Sequence, residues 1–145
     1  MIKWFDQREG YSIGDFGCGE AKIAEALSDK HTIYSFDYIA INDNVIAGDM
    51  SNVPLEDEEL DAAIFSLSLM GTNTEDYIEE AHRTLKLDGY LHIIESTSRF
   101  SDIENFTKQL ENFGFKTIEV SNLWKFTQIY AIKISRIIKK SKLIL

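Results

Sequence analysis

The sequence predicts an α/β protein, a three-layer sandwich built on a seven-stranded, mostly parallel sheet with an antiparallel C-terminal strand. Strand and helix patterns alternate along most of the 145 residues, as is typical of parallel sheets. The apolar run at residues 60–69 is nearly continuous, which indicates a strand buried on both faces. The strand patterns at residues 115–120 and 126–134 have no helix between them, so we expect them to pair antiparallel.

The individual elements follow from local signals. Thr72-Asn73-Thr74-Glu75 has the form of a capping box, which predicts the start of the second helix. Gly89 is predicted to end that unit, and Gly114 is a natural stop for the third helix. The other predicted strands are residues 11–16, 31–36, 45–47 and 90–95, and the first and third helices begin near residues 21 and 101.

The end of the first strand predicts a small-molecule site. Asp15, Gly17 and Gly19 follow one another there, and glycine removes the side chain where backbone must turn or approach a ligand. Taken alone, the pattern fits a turn without a ligand equally well. Ligands of parallel sheets bind beyond the carboxyl ends of the strands. Four candidate residues fall at such ends, namely Gly17, Asp37, Asp49 and Ser66.

The spacing favours adenosine recognition over dinucleotide binding. A dinucleotide turn needs the pattern G-x-G-x-x-G, and the third glycine is absent here. Asp37 can accept hydrogen bonds from two ribose hydroxyls, and Asp49 can accept one from an adenine amino group. Together with Asp15, Gly17 and Gly19, these acids predict an adenosine site.

Composition limits the compartment and the chemistry. Cys18 is the only cysteine, which excludes a disulfide framework and a cysteine-based zinc cluster, so we expect no metal. Between two glycines, Cys18 is interpreted as structural. The longest apolar run, residues 62–70, falls short of the roughly 18 residues of a membrane span. The first residues are too charged for a secretory signal, so we expect an intracellular protein without membrane contact.

The charge is unevenly distributed. Residues 1–124 carry all 24 acidic residues and 9 of the 15 basic ones, whereas residues 125–145 carry 6 basic residues and no acidic one. The acidic body should repel nucleic acid, so any RNA contact must be local. The candidates near the C-terminus are Lys133, Arg136, Lys139, Lys140 and Lys142, with a solvated tail as the alternative.

These motifs resemble those of class I S-adenosylmethionine-dependent methyltransferases, and longer blocks resemble a narrower family. The blocks Asp49-Met50-Ser51-Asn52-Val53-Pro54-Leu55-Glu56-Asp57-Glu58 and Leu67-Ser68-Leu69-Met70-Gly71-Thr72-Asn73 are similar to the ribosomal RNA-processing protein 8 (nucleomethylin) family. So are residues 34–37, 80–86 and 98–100. The resemblance covers about residues 13–134, so we expect one methyltransferase domain over residues 1–134 and a basic tail over residues 135–145.

The resemblance implies the cofactor and the reaction. Members of that family methylate N1 of an adenosine in large-subunit ribosomal RNA, which implies S-adenosyl-L-methionine as cofactor and S-adenosyl-L-homocysteine as product. The family's cofactor-binding positions map onto Gly17, Asp37, Asp49, Met50 and Ser66, the last of which is often cysteine in the family. Ribosomal RNA is the implied partner, which implies the nucleus or nucleolus in a eukaryote and the cytoplasm otherwise.

The reaction needs positioning more than acid–base chemistry. Adenine N1 has a free lone pair when unpaired, so no catalytic residue is assigned. Asn73, Glu95 and Arg99 follow the fourth and fifth strands and are the substrate-side candidates, with capping or surface roles as alternatives.

One departure from the family keeps other functions open. Family members carry a helical lid segment before the glycine turn, and we expect it to be largely missing because only twelve residues precede Ile13. A shortened binding module without catalysis is therefore an alternative. Methylation of a small molecule or a protein is another, and it suits the acidic body better. The sequence carries no signal that sets the oligomeric state.

Overall fold

Seven strands and four α-helices form the computed structural model, within the residues that it describes, 1–69, 73–139 and 142–145. The strands are β1 (Ser12–Phe16), β2 (Thr32–Asp37), β3 (Val45–Ala47), β4 (Leu60–Ser66), β5 (Leu85–Ser96), β6 (Phe115–Leu123) and β7 (Phe126–Lys133). The helices are α1 (Ile2–Asp6), α2 (Lys22–Leu27), α3 (Thr74–Thr84) and α4 (Ile103–Asn112), with a short 3-10 helix at Thr97–Arg99.

The strands form one sheet in the order β3-β2-β1-β4-β5-β7-β6. Strands β1 to β5 pair in parallel, whereas β7 pairs antiparallel with both β5 and β6. The predicted seven-stranded, mostly parallel sheet with one antiparallel C-terminal strand is therefore confirmed. Because the order reverses between β1 and β4, a crevice for a ligand is expected at the carboxyl ends of these two strands.

Helices cover both faces of the sheet. The side chains of strand β4, which point alternately to the two faces, show this. Ala63 and Phe65 point into a core shared with α3 and α4, whereas Ala62 and Ile64 point into a second core shared with α1 and α2. Every one of these four residues is fully buried, so both faces of the strand are covered. The predicted three-layer sandwich is confirmed.

Several element boundaries differ from the predictions. Gly89 does not end the helical unit but lies inside β5, which begins at Leu85 because that residue already pairs with Leu60 of β4. Strand β4 ends at Ser66 and not at residue 69. The third predicted helix, α4, begins at Ile103 and is capped by the carboxylate of Asp102. The proposed capping residue Thr72 lies outside the described residues.

Helix α1 was not predicted, and it covers the face of the sheet opposite α3 and α4. The ring of Trp4 packs edge-on against Tyr90 and His92 of β5, and the Arg8 guanidinium lies 3.3 Å from the centre of the Trp4 ring. Phe5 is fully buried beside them. Aromatic packing therefore holds this short helix, since five residues are too few for a helix to be stable alone.

The chain after β7 packs against the protein. Lys133 is only 2% exposed, and its ammonium donates hydrogen bonds to the carbonyls of His82 and Leu85, at 2.7 Å each. The Lys133 ammonium therefore caps the C-terminal end of α3 and is not available to phosphates. Leu143 is buried, and its backbone amide donates to the Glu75 carboxylate at the start of α3. Lys139 and Lys142 are exposed, and Lys140 lies outside the described residues.

Replacing Lys133 with methionine is expected to destabilise the fold. The Lys133→Met variant keeps the apolar stem but leaves two buried carbonyls without a donor, which costs about 1–3 kcal/mol of unfolding free energy. Urea denaturation followed by circular dichroism measures this change. Lys139→Met is the matched control, because that side chain is exposed, and it should unfold like the wild type. Equal stabilities for both variants would contradict the assignment.

Candidate functional site

The glycine turn after β1 is folded onto the end of β2. The amides of Gly17 and Cys18 both donate to the carbonyl of Phe36, at 2.8 and 2.9 Å. Gly17 has a φ of +81°, in the left-handed region that glycine adopts without strain. The turn therefore brings the carboxyl ends of the two strands into contact, as the sequence predicts.

Gly17 is also the closest point between this turn and two other loops. A Cβ atom at Gly17 would lie 2.4 Å from Cβ of Ser68, in the segment after β4, and 3.6 Å from Sδ of Met50, after β3. Any other residue would have to push the β4 segment away. Among the described residues, the buried hydroxyl of Ser68 has no hydrogen-bond partner, so a polar group is present there that a ligand could satisfy.

Asp37 ends β2 and fixes the turn from the other side. One carboxylate oxygen accepts from the Gly19 amide at 2.9 Å, and the other accepts from the Tyr38 amide at 2.8 Å. Each carboxylate oxygen can accept a further hydrogen bond. Asp37 therefore has a fixed orientation and free acceptor capacity, as a pair of ribose hydroxyls would require.

Asp15 is a buried acid behind the turn. It is 1% exposed, and one of its carboxylate oxygens has no hydrogen-bond partner in the part of the chain that the structure describes. Burial and, to a smaller extent, the negative charge of Asp37 together raise the pKa of Asp15 to about 7. An unpartnered carboxylate of this kind would be stabilised by a cationic group of a ligand.

Asp49 follows β3 at the surface, where Ser51 donates to one of its oxygens from both its amide (2.9 Å) and its hydroxyl (2.7 Å). These bonds lower the pKa of Asp49. The Tyr38 hydroxyl lies 2.9 Å from the hydroxyl of Tyr77 on α3, within hydrogen-bond distance. The hydrogen bond with Tyr77 raises the pKa of Tyr38 to about 12, so this hydroxyl is protonated.

This pair of tyrosine hydroxyls was not predicted from the sequence. Asn73, a predicted substrate-side residue, lies at the N-cap of α3. Tyr38 directly follows Asp37, so its place after β2 was the one signal that could have found it. Tyr77 lies on α3 and is only 5% exposed.

The other two predicted cofactor residues occupy the neighbouring strand ends. Met50 is buried and contributes to the main core while its sulfur faces Gly17. Ser66 is the last residue of β4 and is half-buried, opposite Ile94 of β5. Leu67 then turns with a φ of +57°. The structure thus places all seven predicted cofactor residues at one edge of the sheet, on the turn or on the ends of β1 to β4.

Arg99 holds the segment after β4, and Glu95 lies near the end of β5. The Arg99 guanidinium donates to the Leu69 carbonyl at 3.2 Å. Glu95 is buried, one of its carboxylate oxygens has no hydrogen-bond partner among the described residues, and burial raises its pKa. Both residues therefore lie at the carboxyl edge, and the contact that Arg99 makes positions this backbone.

Cys18 lies in the turn as a protonated thiol. Burial raises its pKa to about 11, and the charges of Asp15 and Asp37 act in the same direction. A thiol is a good nucleophile only as a thiolate, so Cys18 is unsuited to covalent catalysis.

One cavity adjoins the carboxyl edge of the sheet. A cavity of about 330 Å³ adjoins Asp49 and is lined on its other sides by Phe36, Ile46 and Val53. The largest described cavity, of about 630 Å³, lies elsewhere, between the β3–β4 loop and α3. Its charges are largely paired with one another, as in the contact of Arg83 with Glu80 at 2.6 Å.

The fold and this edge define a class of protein, the class I S-adenosylmethionine-dependent methyltransferases. The chain belongs to the family described as hypothetical methyltransferase, whose model matches residues 1–145. It is also similar to a 1,6-didemethyltoxoflavin-N1-methyltransferase of Burkholderia thailandensis, solved with bound S-adenosylhomocysteine. That match has a TM-score of 0.74 at 14% identity and covers 88% of this chain and 72% of that one, which supports the fold.

Two curated relatives match at the level of sequence. Ribosomal RNA-processing protein 8 of Caenorhabditis briggsae is 46% identical over 131 residues, covering 90% of this chain and 40% of that protein. The 25S rRNA (adenine(645)-N(1))-methyltransferase of Schizosaccharomyces pombe is 44% identical over 125 residues, covering 83% of this chain and 39% of that protein. The predicted family is confirmed, and the chain spans less than half the length of these relatives. No described helix is long and apolar enough to cross a membrane.

The pH dependence of stability tests the state of Asp15. Because its folded pKa lies near 7, above the ordinary value of 3.8, Asp15 lowers the free energy of unfolding progressively as pH rises from about 4 to about 7, and the loss is complete above 7. The Asp15→Asn variant escapes this loss. We expect it to be more stable than the wild type by about 1–3 kcal/mol at pH 8, with a difference that shrinks towards pH 4. Urea titrations at both pH values measure this, and parallel pH profiles would show that Asp15 ionises normally.

Proposed function

We propose that this chain is the S-adenosylmethionine-dependent methyltransferase domain of an enzyme that methylates N1 of an adenosine in large-subunit ribosomal RNA. The observation that carries the proposal is the carboxylate set around the glycine turn. Asp15, Asp37 and Asp49 lie at the ends of three adjacent strands and keep free acceptor capacity. The name of the S. pombe relative supports the reaction, since this chain is 44% identical to it.

The residues present fit the cofactor. Asp37 would accept hydrogen bonds from the two ribose hydroxyls, and Asp49 would accept one from the adenine amino group. Asp15 would accept from the ammonium group of the methionine part, which supplies the cationic partner that its orphaned oxygen lacks. Met50 and Ser66 would line the adenine side. When bound, the cofactor supplies an activated methyl group and leaves as S-adenosylhomocysteine.

The rest of the site suits a substrate atom that already has a free lone pair. The imidazoles of His31 and His82 contact the backbone carbonyls of Phe5 and Ser135, at 2.9 and 2.6 Å. His92 is buried among the aromatic rings under α1, and burial lowers its pKa to about 3. All three histidines are thus engaged away from the carboxyl edge. Adenine N1 needs no base to remove a proton, so positioning and exclusion of water are sufficient.

RNA contact would use a small number of cations. Arg99 at the carboxyl edge and the exposed Lys139 and Lys142 near the C-terminus are the candidates. Leu143 contacts Glu75 at the start of α3, so Lys142 lies on the carboxyl-edge side of the protein. Such contacts are salt-sensitive because they release counterions. An intracellular location, nucleolar in a eukaryote, is part of this proposal because ribosomal RNA is made and processed there.

A small-molecule or protein substrate is the second candidate. It is favoured by the 24 acidic residues, all of which lie in residues 1–124 and oppose a polyanionic substrate. A binding module that holds the cofactor without catalysis is the third candidate.

Removal of either ribose or adenine acceptor should weaken cofactor binding. Asp37→Ala and Asp49→Ala are each expected to lose about 1–3 kcal/mol of binding free energy for S-adenosylhomocysteine, the range for a polar partner left unsatisfied. Isothermal titration calorimetry measures this. Asp43→Ala removes the same charge from the exposed loop between β2 and β3 and should bind like the wild type. Unchanged affinity in both test variants would show that the cofactor does not bind at Asp37 and Asp49.

A methyl-transfer assay tests the substrate. The full chain is incubated with radiolabelled S-adenosylmethionine and a large-subunit ribosomal RNA transcript, and the RNA is digested to nucleosides. We expect labelled 1-methyladenosine, lost in Asp37→Ala. Label on protein or a small molecule would favour the second candidate. Cofactor binding without any turnover would favour the third.

A further inference from the structure

The β6–β7 hairpin carries an exposed aromatic tip, residues 122–126, at the carboxyl edge of the sheet. Trp124 is 81% exposed, the largest exposure among the big apolar side chains that the structure describes. Its neighbours Leu123 and Phe126 are 55% and 42% exposed. Such a concentration of apolar surface costs free energy in water and marks a surface that contacts a partner.

The hairpin tip is held rigidly. Trp124 has a φ of +67°, and its amide donates to the side-chain carbonyl of Asn122 at 3.1 Å. Thr97 then fixes two tip carbonyls, since its hydroxyl donates to Trp124 at 2.9 Å and its amide donates to Lys125 at 2.8 Å. A ligand would therefore meet a preorganised surface and would not have to order a loop.

The same contacts attach the hairpin tip to the candidate site. Phe126 pairs with Ser96 at the end of β5, and Thr127 pairs with Glu95. Thr97 begins the short 3-10 helix that ends at Arg99, whose guanidinium holds the segment after β4. The tip thus flanks the edge at which the glycine turn and the carboxylates lie.

The charge at the hairpin tip favours a nucleotide over a purely apolar partner. The Lys125 ammonium lies 4.9 Å from the centre of the Trp124 ring, and residues 121–126 contain no acid in an otherwise acidic protein. An aromatic face beside a cation binds single-stranded nucleic acid, because the base stacks and the cation meets the phosphate. A cavity of about 490 Å³ next to the tip is lined in part by Asp102 and Glu104. Because these carboxylates repel phosphates, a phosphate would bind on the side of Lys125.

We propose that Trp124 stacks on an unpaired base of the RNA, next to the adenosine that receives the methyl group, while Lys125 contacts a phosphate. This proposal rests on the proposed function, because it places the hairpin tip beside the entry to that site. It further specifies the substrate as RNA that is single-stranded around the target, since a base in a duplex cannot expose its face to the ring.

Binding of a fluorescein-labelled single-stranded oligoadenylate to the full chain at low salt tests the proposal by fluorescence anisotropy. Trp124→Ala should weaken binding by roughly 5- to 150-fold, the usual effect of losing one stacking ring. Trp124→Phe should keep most of the affinity because it keeps a ring. Lys125→Gln should reduce the salt dependence. Ile118→Ala, a change of a 56% exposed residue on β6 outside the tip, should bind like the wild type.

Calorimetry with S-adenosylhomocysteine separates this proposal from the proposed function. Trp124→Ala should bind the cofactor product like the wild type. If the wild type gives no heat but the Trp124 effect on oligoadenylate persists, the enzyme assignment fails and the stacking surface stands. The stacking proposal is wrong if the wild type does not bind oligoadenylate, or if Trp124→Ala binds it equally well. It is also wrong if the change alters only self-association in sedimentation experiments, which would make the tip a protein contact.

Discussion

The candidate site depends on the hydrogen bond between the Gly19 amide and the Asp37 carboxylate, at 2.9 Å. It ties the glycine turn after β1 to the end of β2, where the Phe36 carbonyl already accepts two amides of the same turn. The turn can then lie close enough to Ser68 that a side chain at Gly17 would not fit. Because the turn carries no side chain at Gly17, the carboxylate of Asp37 is the group beside it that can bind a ligand.

The acids at this edge favour a ligand that carries a positive charge, and they make Cys18 a poor nucleophile. Asp15 and Asp37 lie near each other, and burial of Asp15 raises its pKa to about 7. The same two charges help to raise the pKa of Cys18 to about 11, which keeps the thiol neutral. A positively charged ligand would relieve the repulsion between the acids. Transfer of a methyl group from a sulfonium to a free lone pair is a reaction that such a site can support by positioning alone.

Periodicity and spacing predict the sheet, its antiparallel strand and the strand ends with their acids, because these depend on local pattern. They do not predict α1, since five residues carry too little pattern and Trp4 stabilises the helix only through contacts with distant strands. Gly89 was misassigned because its place in β5 depends on pairing with β4. Lys133 was predicted to contact phosphates, but its ammonium is buried and donates to the carbonyls of His82 and Leu85, which are distant in sequence. Tertiary contact decides each of these cases.

The claim that the carboxyl edge binds the adenosine part of the cofactor is the centre of this account. Nuclear magnetic resonance of the uniformly 15N-labelled chain, titrated with S-adenosylhomocysteine, tests it most directly. The account predicts that the amide signals of Gly19, Tyr38 and Ser51 shift, because they donate to Asp37 and Asp49. The amides of Gly10 and Gly114, at the opposite edge, should stay in place. Shifts confined to that opposite edge, or none at saturating ligand, would contradict it.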